Sequence, residues 1–440
     1  MDGVLRRSVE RLAPIGRMLY DTRSLDLWER DTATLPRFLR RRRRAYRTFA
    51  QHTLAPLALN ADAEPDRVDL RSLLAEAGRL GFQSEQLPPP FGTMPVQGML
   101  RWSLFQTALK AEEFTAACAG LGLALLAHDL GSAPLYLSGD IRAARRWLAP
   151  MCRANRAGNP RLAAFAITEP AAGSDAEDTV GARAARPGTT ARRANGGYVL
   201  NGQKVFISGG RHADLVTVFA ALDPGDGDEL RMDRHWTCFV AERGASGFRT
   251  GRSEHKLGQR ASDATELFFD DVFVPSENRV GPEYAGWALN RNVLNYSRVP
   301  VGAIALGIAR AAVEAAVDHA RHTRLGNRPL LHHQEVQLTL ADMWLDVSAM
   351  RGMVWQAARH MPPNQGVSSA VKAFCGDRAF AVAGRAMDLL GDAGALSTNR
   401  VEKAMRDARL NQIYEGTNQI NRLAVIEAFA DADFAGSLPS

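Results

Sequence analysis

Ala163-Ala-Phe-Ala-Ile-Thr-Glu-Pro-Ala-Ala-Gly-Ser-Asp175 marks the place where the texture of the chain changes. Upstream, over residues 35–162, apolar side chains recur at three- and four-residue spacing, as at Leu70, Leu73, Leu74, Ala77 and Leu80. That is the period of an amphipathic helix. The quoted stretch opens instead on a short apolar run and stops in a turn carrying Pro and Gly, as a strand does. Downstream, to residue 281, come further β-like runs: Gly197-Tyr-Val-Leu, Lys204-Val-Phe-Ile-Ser, Leu215-Val-Thr-Val-Phe and Thr265-Glu-Leu-Phe-Phe. Asn201-Gly202 between two of them reads as a hairpin turn. From about residue 284 helical spacing returns, with helices expected over 301–320, 334–358, 367–390 and 418–429. Helical, β and helical again describes an α+β chain that is mainly α.

The 440 residues are 46% hydrophobic and 23% charged, enough apolar material for packed cores in two or three domains of roughly 100–200 residues. The longest nearly apolar stretch, residues 116–127, falls short of the ~20 residues that a bilayer span needs. No transmembrane segment is expected. Net charge is +6, yet only Lys110, Lys204, Lys256, Lys372 and Lys403 are lysines. Arginine is bunched at residues 40–44, with Arg37 and Arg47 on either side. A solvated helix face is the expected role of this run; an anionic membrane, nucleic acid or acidic protein is the alternative. Cys118, Cys152, Cys238 and Cys375 form no Cys-x-x-Cys pair, which argues against a disulfide framework and suits a reducing, cytoplasmic location. The basic N-terminal run lacks the apolar centre of a secretory leader.

No Gly-x-Gly-x-x-Gly follows a strand, and the P-loop, His-Glu-x-x-His and Gly-x-Ser-x-Gly patterns are absent. His332-His333 stands without acidic companions and reads as a surface pair, so no metal site is expected. In the opening stretch Thr168 and Ser174 offer hydroxyls, while Gly173 lets backbone approach a ligand closely. Phe206-Ile-Ser208 either brings a ring and a hydroxyl to one place or packs Phe206 into the core. Near the C-terminus, Glu415 sits in Ile413-Tyr-Glu-Gly-Thr417 at a break between helices. In an apolar cleft such a carboxylate has a raised pKa and works as a general base; a solvated loop glutamate or helix cap is the other reading.

Taken in order, Thr168-Glu-Pro-Ala-Ala-Gly-Ser-Asp175, Leu200-Asn-Gly-Gln-Lys204, Lys256-Leu-Gly-Gln-Arg-Ala-Ser262, Val274-Pro275 and Ile413-Tyr-Glu-Gly-Thr417 resemble the acyl-CoA dehydrogenase family. The resemblance covers residues 35–429. It implies an N-terminal extension (1–34), an N-terminal helical domain (35–162), a middle β-barrel-like domain (163–283), a C-terminal four-helix bundle (284–432) and a tail (433–440). FAD and an acyl-CoA thioester would meet between them. By motif position Glu415 looks like the base that takes the pro-R α-proton, with the β-hydrogen leaving as hydride to flavin N5 and a trans-2-enoyl-CoA as product. The Glu415 backbone N–H and a flavin ribityl hydroxyl would hold the thioester oxygen. Some relatives carry the base just before the arginine that matches Arg298; here that residue is Ser297. The same carry-over assigns Phe165, Ile167, Thr168, Gly173, Ser174, Phe206, Ile207 and Ser208 to the flavin. Gln334, Thr417 and Gln419 match further FAD contacts. Ser174, Asn295 (commonly Asp), Arg298 and Gly416 match contacts to the CoA or acyl group. An electron-transfer flavoprotein is the implied electron acceptor, and a homodimer or homotetramer the implied assembly.

The chain departs from the family pattern in one region. Before Gln334 the family shows Arg-x-x-Phe-Gly, which reaches the FAD pyrophosphate of a neighbouring subunit; Thr323, Gly326 and Asn327 stand there. The usual Gln-x-x-Gly-Gly reads Asp388-Leu-Leu-Gly-Asp392. A clamp for phosphates has lost an arginine and gained carboxylates, with Arg324 and Arg328 as nearby cations. A heteromeric enzyme, in which a paralogous partner completes the FAD site, is therefore a second expectation. A nucleic-acid-binding relative using Arg37 to Arg47 is a third, opposed by the intact Tyr-Glu-Gly-Thr segment.

Overall fold

The computed structural model describes residues 7–18, 27–94, 99–176, 188–225 and 235–430. The expected tail lies outside these, as does part of the expected extension. The chain divides into two units, Met1–Arg44 and Ala45–Ser440. In the first, α1 (Pro14–Met18) and α2 (Leu27–Thr34) precede the opening of α3 (Arg37–Phe49). The arginine run lies on α3. Arg41 and Arg44 are exposed, but Arg43 is buried. Its guanidinium donates to Thr32 Oγ1 at 2.9 Å and lies 5.1 Å from the Trp28 ring centroid, a cation–π distance. A uniformly solvated face is thus corrected at Arg43. At 3.6 residues per turn, five consecutive side chains cannot share one face.

The second unit opens with helices, among them α4 (Leu70–Arg79), α5 (Met99–Ala117), α6 (Ala119–Leu137) and α7 (Ala149–Arg156). Asp69 caps α4, its carboxylate accepting the Ser72 N–H at 3.1 Å. Leu70, Leu73, Leu74 and Ala77 are buried by α4, as their spacing predicts.

Strands β1 (Ala163–Ala166), β2 (Thr190–Ala194), β3 (Gly197–Ser208), β4 (Leu215–Leu222), β5 (Trp236–Glu242), β6 (Phe248–Ser253), β7 (Ala264–Pro275) and β8 (Arg279–Val280) follow. They form one sheet in the order β6-β7-β3-β2-β4-β5-β8, with β1 paired to β4 in parallel. Every residue of β4 is buried, because both faces of this strand are covered. Leu215, Phe219 and Ala221 point into a core shared with Leu135 of α6, Trp147 and Leu148. Val216, Val218, Ala220 and Leu222 point the other way, onto Tyr198, Leu200 and Phe269 of β3 and β7. The hairpin expected at Asn201-Gly202 is a correction: residues 197–208 are one strand. The register shifts there because β7 carries an extra residue opposite, with Asp271 at φ 51°. Asn201 fills the bulge, its Oδ1 accepting the Asp271 N–H at 2.9 Å.

The C-terminal helices are α8 (Gly286–His322), α9 (Gln334–Ala358), α10 (Gln365–Leu390), α11 (Arg400–Leu410) and α12 (Asn418–Ala430), with a small hairpin, β9 (Arg324–Leu325) and β10 (Arg328–Pro329), after α8. Helix α8 packs on α5, α9, α10 and α11, and α10 on α9, α11 and α12. Among the described residues α8 alone is long and apolar enough to cross a membrane, but 83% of its apolar window is buried in the protein. At Gly307 a Cβ would lie 2.5 Å from the Glu112 carbonyl oxygen, so only glycine lets α8 lie this close to α5. Buried charges tie the same helices: Arg310 reaches Glu112 at 3.0 Å and Glu113 at 2.9 Å, and Arg351 reaches Glu112 at 2.7 Å.

Candidate active site

The loop after β1 is fastened by a buried ion pair. Lys204 Nζ lies 2.8 Å from Glu169 Oε1 and donates to the Ile167 carbonyl at 2.9 Å. Glu169 also accepts the N–H groups of Gly188 at 2.6 Å and Thr189 at 2.9 Å. Burial works against ionising Glu169, but Lys204 and these donors outweigh it and hold the carboxyl below its ordinary range. The Thr168 carbonyl accepts the Val205 N–H at 2.9 Å. Phe165 packs against Phe219, ring centroids 5.3 Å apart, and Ile207 is buried on the opposite core. Both side chains are used in packing, so a ligand could meet only their backbone.

Phe206 differs. Between Lys204 and Ile207 the register of β3 on β7 shifts, two residues of β3 facing one of β7. At this bulge Phe206 takes a left-handed φ of 59° and is 58% exposed. Its ring stands off the sheet, which sets aside the core reading. A positive φ on an aromatic residue is costly and is kept only where the surrounding structure enforces it.

The second centre is the turn between α11 and α12. Glu415 (φ 58°) and Gly416 (φ 78°) are both left-handed, and the turn is pinned from several sides. Ser297 on α8 donates its hydroxyl to Glu415 Oε1. Lys372 on α10, 1% exposed, donates to the Gly416 carbonyl and to Asn418 Oδ1, the latter at 2.9 Å. Asn421 Nδ2 donates to the Gly416 carbonyl at 3.0 Å. The Thr417 N–H donates to Ser174 Oγ at 3.3 Å, which joins this turn to the loop after β1.

The Lys256-Leu-Gly-Gln-Arg segment supports the same turn from the sheet side. A Cβ on Gly258 would lie 2.3 Å from the Arg406 carbonyl oxygen, so the segment lies flat on α11. The Gln259 N–H donates to the Asp407 carboxylate, and its side chain donates to Asn411 Oδ1 at 2.7 Å and to Tyr414 OH at 3.4 Å. Burial pushes the Tyr414 phenol well above its ordinary range, so it stays neutral. The sequence motif contains Gln259 but assigns it no task, and nothing in the motifs points to Lys372 or Asn421. The bare signal for Lys372 is its rarity, one of five lysines in the chain.

The remaining expected residues are placed as follows. Arg298, buried, donates to Ser369 Oγ at 2.9 Å. Asn295 donates to the Pro363 carbonyl at 2.7 Å and accepts from Ser368 Oγ at 2.6 Å, so its amide ties α8 to α10. Gln334 and Gln419 are exposed at the starts of α9 and α12. Thr323 terminates α8, its N–H donating to the His319 carbonyl at 2.8 Å. Gly326 (φ 62°) turns the β9–β10 hairpin, on which Arg324 and Arg328 are exposed. Asp388 and Asp392 are exposed at the end of α10. Among the described residues no three His, Cys, Asp or Glu side chains converge as a metal site requires.

The residues present fit a flavin ring beside the β3 bulge. Phe206 offers a free aromatic face, and Gly173 is open, a Cβ there meeting only Thr168 Cγ2 at 3.9 Å. A carboxylate turn joined through Ser174 to the loop after β1, between a helical domain and a helical bundle, is the layout of a three-domain oxidoreductase. Comparison with known proteins agrees over nearly the whole length. Residues 39–155, 164–272 and 284–430 match the N-terminal, middle and C-terminal domains of acyl-CoA dehydrogenase. The chain is 35% identical over 386 residues to cyclohex-1-ene-1-carbonyl-CoA dehydrogenase of Geobacter metallireducens, covering 86% of this chain and 94% of that protein. The butyryl-CoA dehydrogenase structure from Megasphaera elsdenii superposes with a TM-score of 0.81 at 30% identity, over 90% of this chain and 99% of that one. A chain of the structure described as electron transferring flavoprotein of Acidaminococcus fermentans has the same TM-score at 32% identity, over 90% and 98%. The chain belongs to the acyl-CoA dehydrogenase family, oxidoreductases that act on CH–CH bonds with FAD as cofactor.

Proposed function

We propose that this chain oxidises an acyl-CoA thioester to the trans-2-enoyl-CoA, with Glu415 as the base that removes the α-proton. The observation that carries this reading is the Glu415 turn. A carboxylate held in a strained left-handed turn, tied to the flavin-side loop through Ser174, is preorganised for proton abstraction. FAD, when bound beside Phe206, supplies the acceptor for the β-hydride. The chain's own residues hold the carboxylate, shape the turn, and keep Tyr414 neutral behind it. Glu415→Gln keeps the turn's shape and removes the base. It is expected to fold and take up flavin as the parent does, and to turn over acyl-CoA at least about 10²–10⁴-fold more slowly. Turnover near the parent rate overturns the assignment.

An electron-transfer flavoprotein is the proposed acceptor, in a cytoplasmic setting. A second copy of the chain is the proposed partner of α9, where Leu338 and Leu345, two turns apart, are 62% and 59% exposed. The substitutions at Thr323, Gly326, Asp388 and Asp392 favour a second version in which a paralogous subunit completes the phosphate clamp. Flavin-poor protein from the chain alone, filled on co-expression with that paralogue, would distinguish it.

A further inference from the structure

We infer that Ser297 is the positioning residue for Glu415, a hydroxyl with two acceptors that follows the carboxyl through its protonation cycle. The inference rests on Glu415 being the base. Ser297 lies on α8, 9% exposed, 118 positions from Glu415 in the chain. A serine hydroxyl has one proton to donate. Two oxygens stand within its reach: Glu415 Oε1, and the Leu294 carbonyl at 3.2 Å, one turn back along the same helix. Back-bonding to a helix carbonyl is an ordinary resting place for serine.

The two acceptors match the two states of the base. When Glu415 is ionised, the hydroxyl donates to it and holds its direction. When Glu415 has taken the α-proton, the hydroxyl turns to the Leu294 carbonyl and its lone pair accepts from the new acid. Ser297 keeps its own proton throughout; only the substrate's α-proton moves, from carbon to the Glu415 carboxylate. Neither state leaves the hydroxyl unsatisfied, so the base reloads without local rearrangement. The other titratable or charged groups around the turn are Tyr414 on the turn itself, Arg298 on α8, Lys372 and Asp377 on α10, Lys403 and Asp407 on α11, and Arg422 on α12. All are retained when Ser297 alone is changed.

The test uses FAD-loaded enzyme and 3-thiaoctanoyl-CoA, whose sulfur at the β position leaves an α-proton to lose but no β-hydride. Loss of the α-proton into D2O is followed by NMR across pH. Ser297→Ala is expected to exchange about tenfold to a hundredfold more slowly at neutral pH, the range of one hydrogen bond to a charged group. The concentration for half-maximal exchange stays within about twofold, and the acid limb of the profile moves to higher pH, because a donor to the ionised form has gone. Ser297→Thr, which keeps the hydroxyl, restores most of the rate. Exchange by Ser297→Ala close to the parent rate with an unmoved acid limb overturns the inference, as does failure of Ser297→Thr to rescue. Glu415→Gln separates the two readings. If it still exchanges like the parent, or if the parent does not exchange at all, the base assignment fails and this inference with it. If Glu415→Gln is silent and Ser297→Ala normal, only the role of Ser297 is lost.

Discussion

Replacing Lys204 by Met removes the cation from the pair that fastens the loop after β1, and the structure sets the size of the loss. Both partners are nearly inaccessible, Glu169 at 5% and Lys204 at 0%. Breaking a buried pair from one side costs about 3–5 kcal/mol, since a charge is left without its counter-ion. Glu169 keeps the Gly188 and Thr189 donors, which favours the low end, but the Ile167 carbonyl loses its donor as well, about 1 kcal/mol. Lys204→Met is therefore expected to lose about 3–4 kcal/mol. Adding Glu169→Gln removes the stranded charge and is expected to recover about half of that. Urea unfolding measures both, and amide exchange at Gly188, Thr189 and Val205 localises the effect. Acidity gives an internal check. The Glu169 carboxyl is depressed in the folded protein, so its contribution is present above the ordinary carboxylate range and is lost as the pH falls through the folded value. The gap between parent and Lys204→Met narrows in acid. A gap below about 1 kcal/mol at neutral pH, or one that widens in acid, refutes the reasoning.

Two other expectations accompany it. His128, 1% exposed on α6, accepts the Ala163 N–H at its Nδ1 at 3.2 Å; burial and then Lys110 lower its pKa to about 4. Stability from the neutral ring is full above about pH 6.5 and is lost down to about pH 4, about 3 kcal/mol in all, and His128→Gln should flatten that part of a denaturant-midpoint series, an unchanged slope excluding His128. At the clamp, Thr323→Arg with Asp392→Gly restores one positive and removes one negative charge, and FAD is expected to bind about tenfold or more tightly in equilibrium titration; unchanged affinity means this region does not face the phosphates.

The helical parts of the fold were legible because their signals are local. The helix expected over 334–358 is α9 to the residue, and α10 begins two residues before its expected start, where Asn364 caps it by accepting the Val367 N–H at 3.1 Å. Strand β3 was less legible. Asn-Gly is the local signature of a turn, and only pairing with β7, some seventy residues away, makes it a bulge partner. Exposure of Phe206 has the same origin, since the bulge that frees the ring depends on the register of β7. In the candidate site the motifs pointed to the two loops described above but not to the side chains that support them. Ser297 and Lys372 act on the Glu415 turn through side chains brought in from α8 and α10, and no spacing in the sequence encodes those meetings, whereas Asn421 reaches the Gly416 carbonyl from five residues down the chain.

The distribution of nucleophiles has a consequence for a protein of this family. Lys110, Lys204, Lys372 and Lys403 are each at most 4% exposed, and Lys256 is half-buried with its amine on the Ser262 carbonyl. All four cysteines are buried and unpaired, and burial pushes the Cys152 thiol up to about 12. Coenzyme A thioesters spontaneously acylate accessible amines, and enoyl thioesters alkylate accessible thiolates. The cationic surface here is guanidinium, which does neither, so these side chains are shielded from covalent self-modification by the compounds the enzyme class handles.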